Sequence, residues 1–374
     1  MICIIGRGIS SALEGKTIGG AEKQMALIAK GLKDRGLKII VFEYHLNEPK
    51  VVSGVKFYPA WNKSHKSLFS KIVTLRNLLK FHKVDAVYAR GTNMYIALLF
   101  LNLKVFRAKT KLFWGIAGDH DLSSKYNHLR VKFVSSIYAK LNAGIVFNIS
   151  SILSFYFSDT IICQTKEQIN RCEKISSKKS KVLISNIYSK EIIKEVKQKG
   201  KMKADALWIA KFSGNKGEDT LLKISQDIPE MKIICLGHVN EGFAKTDIFK
   251  KIERQKNLLL VGRVPSSEVS NYILDIDFIL NTSPSEGLSN VFLEGWALKK
   301  PVISFMVNPN KYLSKGEAGY CANGSYQKLV LKLRCILNDG KFMRYHGTKG
   351  YKILINNHNS EYILTKYKSL FLKK

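Results

Sequence analysis

The acidic residues best placed to do chemistry lie in one stretch, SPSEGLSNVFLEGWALKKPVIS, over residues 283–304. Glu286 and Glu294 have seven residues between them, and Gly287 makes a turn after the first. The pattern predicts a strand ending near Asn281, a loop carrying Glu286, and a helix opening near Asn290 with Glu294 in its second turn. Amides at a helix N-terminus, here from about Leu288 through Ser289 and Asn290 to Val291, suit an anionic group. Two carboxylates flanking such amides can accept hydrogen bonds from hydroxyls on either side of a bound phosphate. Spacing alone is met equally well by a structural role, in which both acids complement the helix dipole.

A basic pair stands upstream, in LWIAKFSGNKGEDTLL (207–222). A strand leads into a loop flanked by Lys211 and Lys216, and Glu218 opens the next helix. An ammonium is a compact charge suited to phosphate oxygens, although in so basic a chain two lysines also fit a solvated surface. In VGRVPSSEV (261–269), Arg263 and Val264 follow another strand. Near the start, Gly6 and Gly8 follow a strand, but Ser11 stands where a dinucleotide fingerprint needs its third glycine, which excludes a nicotinamide site. Gly19 and Gly20 open a helix instead, and their bare amides allow close approach to a ligand or simply a tight turn. FWGIAGDHDLSS (113–124) places Asp119, His120 and Asp121 just past a strand. The literal D-x-D is compatible with a metal, and a histidine between aspartates is equally compatible with a solvated loop. Arg90, after the strand that contains Tyr88, is a further candidate phosphate ligand.

These motifs need strands to stand on, and the chain supplies them. Short apolar runs alternate with amphipathic stretches, as in parallel βα units. Strands are expected at 2–5, 37–42, 86–88, 112–116, 160–163 and 182–184, then at 206–209, 232–236, 258–261, 278–281 and 301–304, with a mainly helical pattern after Pro301. Helices are expected at 21–35, 67–81 and 291–297, and a closing helix at 360–371. At 374 residues the chain predicts two domains. A polar, Lys-rich stretch at 185–203 marks the linker. The expected division is a first domain over 1–187, a second over 188–355, and a terminal helix in 356–374 packing back toward the first.

Sixty-one Lys/Arg against 29 Asp/Glu give a formal charge of +32, a field that favours nucleic acid, nucleotide phosphates or an anionic lipid leaflet. The excess concentrates in residues 51–150, where sixteen basic residues face three acidic ones. No helix-turn-helix, zinc pattern or aromatic RNA-binding motif accompanies it, which argues against nucleic acid. The six cysteines have no metal or C-x-x-C spacing and read as reduced thiols of a cytoplasmic protein. MICIIGRG runs straight into a strand, so no signal peptide is expected. NAGIVFNISSILSFYF (142–157) is about four residues short of a membrane span and reads as a buried or interfacial helix. KSLFSKIVTLRNLLKFHK (66–83) reads as amphipathic, with Leu68, Phe69, Ile72, Leu75 and Leu79 on one side and Lys71, Arg76, Lys80 and Lys83 bordering it. Such a helix lies either in a headgroup layer or against a sheet.

EGLSNVFLEG, with the Lys-Pro-Val stretch after it, resembles the E-x7-E signature of family 4 of the retaining glycosyltransferases. Lys211 and Lys216 match that family's Arg and Lys positions in its G-R-(L/F)-x-x-x-K-G element. Gly19-Gly20-Ala21-Glu22 resembles its first loop, and residues 261–269 its base-binding loop. Gly295 stands where Ala is commoner, which reads as a packing change. The resemblance implies a GT-B fold, two doubly wound Rossmann-like domains facing each other across a cleft. It implies transfer from a nucleotide-sugar with retention at the anomeric carbon, and neither a metal nor another cofactor. Glu286 then contacts the transferred sugar, Glu294 the ribose, the amides at 287–291 the diphosphate with Lys211 and Lys216, and Arg263 and Val264 the base. Gly19 and Gly20 face the donor phosphates. His120 or Asp119 positions the acceptor hydroxyl; Arg90, on its place after a strand and not on the resemblance, is expected to steady an acceptor phosphate. The expected acceptor is a glycan or lipid-linked intermediate of cell-surface polysaccharide synthesis, met by a peripheral protein on the cytoplasmic face of an anionic membrane. Two alternatives remain at this stage: a basic nucleic-acid-binding protein, and a nucleotide-sugar epimerase of the same fold.

Overall fold

The computed structural model describes residues 1–16, 19–62, 67–122, 137–188, 203–314 and 317–373, with the backbone alone considered over 137–143. Most of the expected linker, 189–202, and the first residue of the expected amphipathic helix, Lys66, lie outside the described residues. Among those described, the residues up to Leu122, Ile137–Ile187 and those from Ser360 onward form one compact unit, and Tyr188–Asn359 forms another.

The first unit is built on eight strands: β1 (Ile2–Arg7), β2 (Ile39–Tyr44), β3 (Lys50–Val52), β4 (Val55–Pro59), β5 (Ala86–Arg90), β6 (Lys111–Gly115), β7 (Thr160–Cys163) and β8 (Lys181–Leu183). Their spatial order is β3-β4-β2-β1-β5-β6-β7-β8. Every pairing is parallel except that of β3 with β4. Central strands β1 and β2 are apolar on both sides because both sheet faces are covered. One face carries the helices Leu68–Phe81 and Met94–Val105 together with Phe155 of Ile137–Phe157; the other carries Gly20–Asp34 and the terminal helix Ser360–Leu372. Ile363, Leu364, Tyr367 and Phe371 anchor that last helix in the first unit's core.

Two expectations about this unit need correction. The hairpin β3–β4 was invisible to an alternating βα reading, because its strands are short and sit at the sheet edge. The apolar side of the helix Leu68–Phe81 is divided. Ile72, Leu75 and Leu79 are buried in the core, whereas Leu68 is 41% and Phe69 75% exposed. Ile72 and Leu75 therefore hold the helix to the sheet and cannot enter a bilayer. The run at 142–157 belongs to a helix of 21 residues, Ile137–Phe157, and among the described residues no helix is long and apolar enough to cross a membrane. Ile145, Ile149, Ile152 and Tyr156, spaced along one side of it, are exposed.

The second unit holds β9 (Ala206–Ile209), β10 (Ile233–Leu236), β11 (Leu258–Gly262), β12 (Phe278–Asn281), β13 (Val302–Ser304) and β14 (Gly319–Cys321), in the order β11-β10-β9-β12-β13-β14 and parallel throughout. β14 departs from the helical pattern expected after Pro301. It is only three residues long and opens on Gly319, where a side chain would fall 1.9 Å from the carbonyl oxygen of Val302. From β9 the chain winds outward to β10 and β11, then returns to place β12 on the other side of β9. That makes the carboxyl ends of β9 and β12 this sheet's topological switch point, where open α/β sheets bind ligands.

Candidate active site

The two loops that leave this switch point hold the residues singled out from the sequence. After β9, the loop 210–217 closes on the buried carboxylate of Glu218. Glu218 accepts hydrogen bonds from the amides of Ser213 and Gly214, both at 2.7 Å, and of Lys216 at 2.8 Å. It therefore folds the loop as well as complementing a helix dipole. Gly217 adopts φ 76°, and a side chain there would fall 2.0 Å from the carbonyl oxygen of Thr282. Thr282 ties the loops together: its hydroxyl donates to the Lys216 carbonyl at 2.9 Å and accepts from the Trp208 indole at 2.8 Å.

This scaffold brings Lys216 to Glu286. The ammonium lies 3.0 Å from Glu286 Oε1, and the same oxygen accepts from the Ser283 hydroxyl at 2.7 Å. Ser289, the N-cap residue of the helix Asn290–Ala297, makes no side-chain cap, and its hydroxyl serves Glu286. Burial alone would push the Glu286 carboxyl upward. The Lys216 charge and the three hydrogen bonds outweigh that and hold it below its ordinary range. Glu286 is thus ionised, only 16% exposed, and packed by partners. The Ser285 hydroxyl beside it is buried and has no hydrogen-bond partner among the described residues.

The other second-unit candidates lie at the same end of the sheet. Lys211 is exposed on the β9 loop, and Gly287 and Leu288 are buried ahead of the helix whose first turn contains Val291. Glu294, in the second turn, is half-buried. The Tyr188 hydroxyl is raised by burial and secondarily by the Glu294 charge, which places the two side chains near each other. Arg263 is exposed and Val264 half-buried just after β11. Gly295 is more than a neutral variation. An alanine there would put its methyl 2.6 Å from the Ile279 side chain, so β12 and this helix pack more closely than a Cβ allows.

In the first unit, Asp119, His120, Asp121 and Leu122 form a short 3-10 turn after β6. Asp121 is buried and accepts from the amides of Ala117 at 2.8 Å, Gly118 at 3.2 Å and Thr92 at 3.2 Å. Asp119 lies 3.1 Å from the Arg171 guanidinium and accepts from the Gln168 side-chain amide at 3.1 Å. Both aspartates are thus held by protein groups, and no cluster able to hold a metal occurs among the described residues. His120 keeps a quarter of its side chain exposed, with Nε2 3.6 Å from Asp121 Oδ1. It borders a cavity of about 310 Å³ whose other lining residues are the apolar Leu122, Ile152, Phe155 and Ile175 together with Tyr156, Asp121, Asn148 and Ser151. Arg90 ends β5 and donates to the Asn186 side chain at 2.5 Å. Gly19 and Gly20 are exposed at the start of the helix Gly20–Asp34. Residues that the sequence reading passed over are the loop-builders Thr282 and Ser283; Ser289 was expected to offer its amide and Asp121 to stand in a D-x-D, and both act instead through side chains that build the loops. The serines at three residues on either side of Glu286 were the one available signal.

Residues 189–353 match the family model described as glycosyl transferases group 1. A lipopolysaccharide core biosynthesis glycosyltransferase of Rhizobium meliloti, LpsE, is 24% identical over 230 residues, covering 59% of this chain and 66% of its own. The chain spans between 41% and 66% of the length of the first curated relatives it matches. Two solved structures have the same fold along nearly the whole chain. Sucrose-phosphate synthase from Thermosynechococcus elongatus gives a TM-score of 0.78 at 13% identity, covering 99% of this chain and 98% of its own. The Anabaena protein HepE, in complex with UDP-glucose, gives 0.72 at 15% identity with the same coverage. Residues 189–353 therefore belong to the group 1 glycosyl transferases, and the chain that carries them has the GT-B fold.

Proposed function

We propose that the chain transfers a sugar from a nucleotide-sugar to an acceptor hydroxyl, with retention at the anomeric carbon and without a metal. The Lys216–Glu286 pair at the β9/β12 switch point is the observation that carries this reading. A donor diphosphate competes with Glu286 for the Lys216 ammonium. Glu286, ionised and relieved of that partner, accepts a hydrogen bond from a hydroxyl of the sugar. The helix Asn290–Ala297 adds the positive end of its dipole to the diphosphate, where negative charge grows as the sugar departs. Lys211 supplies a second ammonium, Glu294 accepts from the ribose, and Arg263 and Val264 meet the base. The complex of HepE with UDP-glucose supports a uridine nucleotide as the first donor to test.

The acceptor side of the reading belongs to the first unit. His120 orients the acceptor hydroxyl, while Asp119, engaged by Arg171, supports the turn. The largely apolar cavity beside His120 and the naming of LpsE for lipopolysaccharide core biosynthesis support a lipid-linked glycan acceptor at the cytoplasmic face of a membrane. A thermal-shift panel of nucleotide-sugars tests the donor half, because a ligand bound to the native state alone raises its stability. No rise with any nucleotide-sugar would overturn the reading. Product analysis of the stabilising donor then separates transfer, which needs an acceptor, from epimerisation, which does not.

A further inference from the structure

The first unit has a switch point of its own. From β1 the chain winds outward to β2 and β4, then returns to place β5 on the other side of β1. Open α/β sheets bind ligands beyond such strand ends, and an aromatic cluster gathers beside them. Tyr44 is the last residue of β2, Trp61 follows β4, and Tyr95 lies in the first turn of the helix Met94–Val105 after β5. Tyr44 and Trp61 stack with ring centres 4.8 Å apart, and Tyr95 closes on Trp61 at 4.7 Å.

A cation completes the cluster. Lys71, half-buried on the helix Leu68–Phe81, brings its ammonium to 5.3 Å from the ring centres of both Trp61 and Tyr95. The rings attract the charge but are no substitute for an oxygen acceptor. Of the three N–H donors of an ammonium, one reaches the Tyr95 hydroxyl at a long 3.5 Å. Lys71 makes no ion pair among the described residues, and neither the Tyr95 O–H nor the Trp61 indole N–H has an acceptor there. A half-buried ammonium without a counter-ion is costly, and here it stands beside two further unused donors. Arg90, expected to steady an acceptor phosphate, is turned instead to the Asn186 side chain.

Unused donors around an ammonium select an oxyanion. The rings beside them add what a free anion does not need, an apolar surface with polar rims, which suits the apolar face of a sugar. The place also fits the reaction. Thr92, in the loop between β5 and Tyr95, donates its amide to Asp121 in the turn that holds His120. β5 and β6 run side by side about 4.8 Å apart, so a sugar held at Tyr95 has the next residue of its chain within reach of His120.

We propose that Lys71, Tyr95 and Trp61 form an acceptor subsite for an anionic sugar residue: the ammonium and the phenol bind its phosphate or carboxylate, and the rings take the apolar face of the pyranose. The assignment rests on the transfer reading above and names the charge on the acceptor glycan. The test is calorimetric titration of the full chain with the 6-phosphates of glucose and galactose, the matching uronates, the neutral methyl glycosides and inorganic phosphate. Uridine diphosphate is present throughout to fill the donor site. At least one anionic sugar should bind about tenfold more tightly than its neutral counterpart, and which one does so separates phosphate from carboxylate. Lys71→Met keeps the apolar stem and should weaken that sugar about tenfold, Lys71→Arg should restore most of the loss, and Tyr95→Phe should cost about fivefold. Lys80→Met removes the same charge from an exposed position on the same helix and should change little. Thermal midpoints near that of wild type show that the variants are folded. Neutral and anionic sugars binding alike would overturn the subsite, as would an anionic sugar that binds Lys71→Met as well as wild type. Equal losses in Lys71→Met and Lys80→Met would reveal only the general field of a basic chain and overturn it too. Inorganic phosphate binding as tightly as the sugar phosphates would remove the sugar from the site. Thermal stabilisation by nucleotide-sugars, measured in parallel, keeps the two readings apart. Its absence sinks the transfer reading and this one with it, whereas its presence beside any of these failures sinks the subsite alone.

Discussion

Two acid-bearing loops, one in each unit, follow parallel strands and look alike on paper. Their carboxylates have different occupations. Around Glu286 the scaffold is built by other groups, Glu218 and Thr282, and the carboxylate is held by side-chain hydroxyls and one ammonium, all partners that a ligand can replace. Around His120 the aspartates are themselves the scaffold: Asp121 gathers three backbone amides, and Asp119 fixes Arg171 and Gln168. A carboxylate bound to backbone amides is committed to the fold. One bound by a lysine and by serines remains available for exchange.

The sharpest way to break this comparison is a matched pair of near-isosteric changes, Glu286→Gln and Asp119→Asn. Glu286→Gln should lower transfer at least a hundredfold, on the scale of removing one transition-state contact, with the fold retained. Asp119→Asn should change turnover only a few-fold, because its role is to hold a turn. Steady-state rates with a saturating donor decide it, and equal losses would erase the distinction drawn here. The next effect is on stability. Asp121→Ala leaves three amides without their acceptor and should cost about 3 kcal/mol, read as a lower thermal midpoint. A variant as stable as wild type would show that water replaces the carboxylate. Smaller again, Lys216→Ala should weaken a nucleoside diphosphate-sugar by about ten- to a hundredfold and a nucleoside monophosphate by less. Calorimetric titration gives both numbers, and equal weakening would remove Lys216 from the diphosphate.

The sequence made the architecture legible wherever a strand was buried on both faces. A run such as Phe278–Asn281 has one reading, and its ends were placed to the residue. The elements that escaped were short ones whose presence depends on neighbours. Gly319 enters a sheet because Val302 leaves no room for a side chain, and nothing local in Gly-Tyr-Cys says so. The Lys216–Glu286 contact joins residues 70 apart, and only the winding order of β9 and β12 brings them together. The spacing of Glu286 and Glu294 identified a loop and a helix, but left open whether the acids bind a ligand or merely suit a dipole. The hydroxyls of Ser283 and Ser289, both turned to Glu286, speak for the first reading. In the amphipathic helix at 68–81 the periodicity was real, but periodicity cannot distinguish a sheet from a lipid surface, and the sheet has Ile72 and Leu75.

The smallest effect expected is a difference in sign. Glu286 has its folded-state carboxyl held below the ordinary value, as Lys216 and the hydroxyls outweigh burial. Its contribution to stability is therefore fully present above the unfolded value near 4.5 and is lost as pH falls through the folded one. Asp119 is shifted the other way, since burial dominates over the Arg171 charge and the Gln168 hydrogen bond and raises its carboxyl. Its native form binds the proton more readily than the unfolded chain does, so stability is lost as pH rises through that window and regained on acidification. The two loops should thus answer acid in opposite directions. Thermal midpoints measured from pH 7 downward for wild type, Glu286→Gln and Asp119→Asn would show it. Glu286→Gln should flatten the acid-side decline, because it deletes a group whose protonation destabilises the fold. Asp119→Asn should steepen it, because it deletes a group whose protonation helps. If both variants shift the slope the same way, the balance of burial and charge assigned to one of these carboxylates is wrong, and with it the claim that the loops differ in kind.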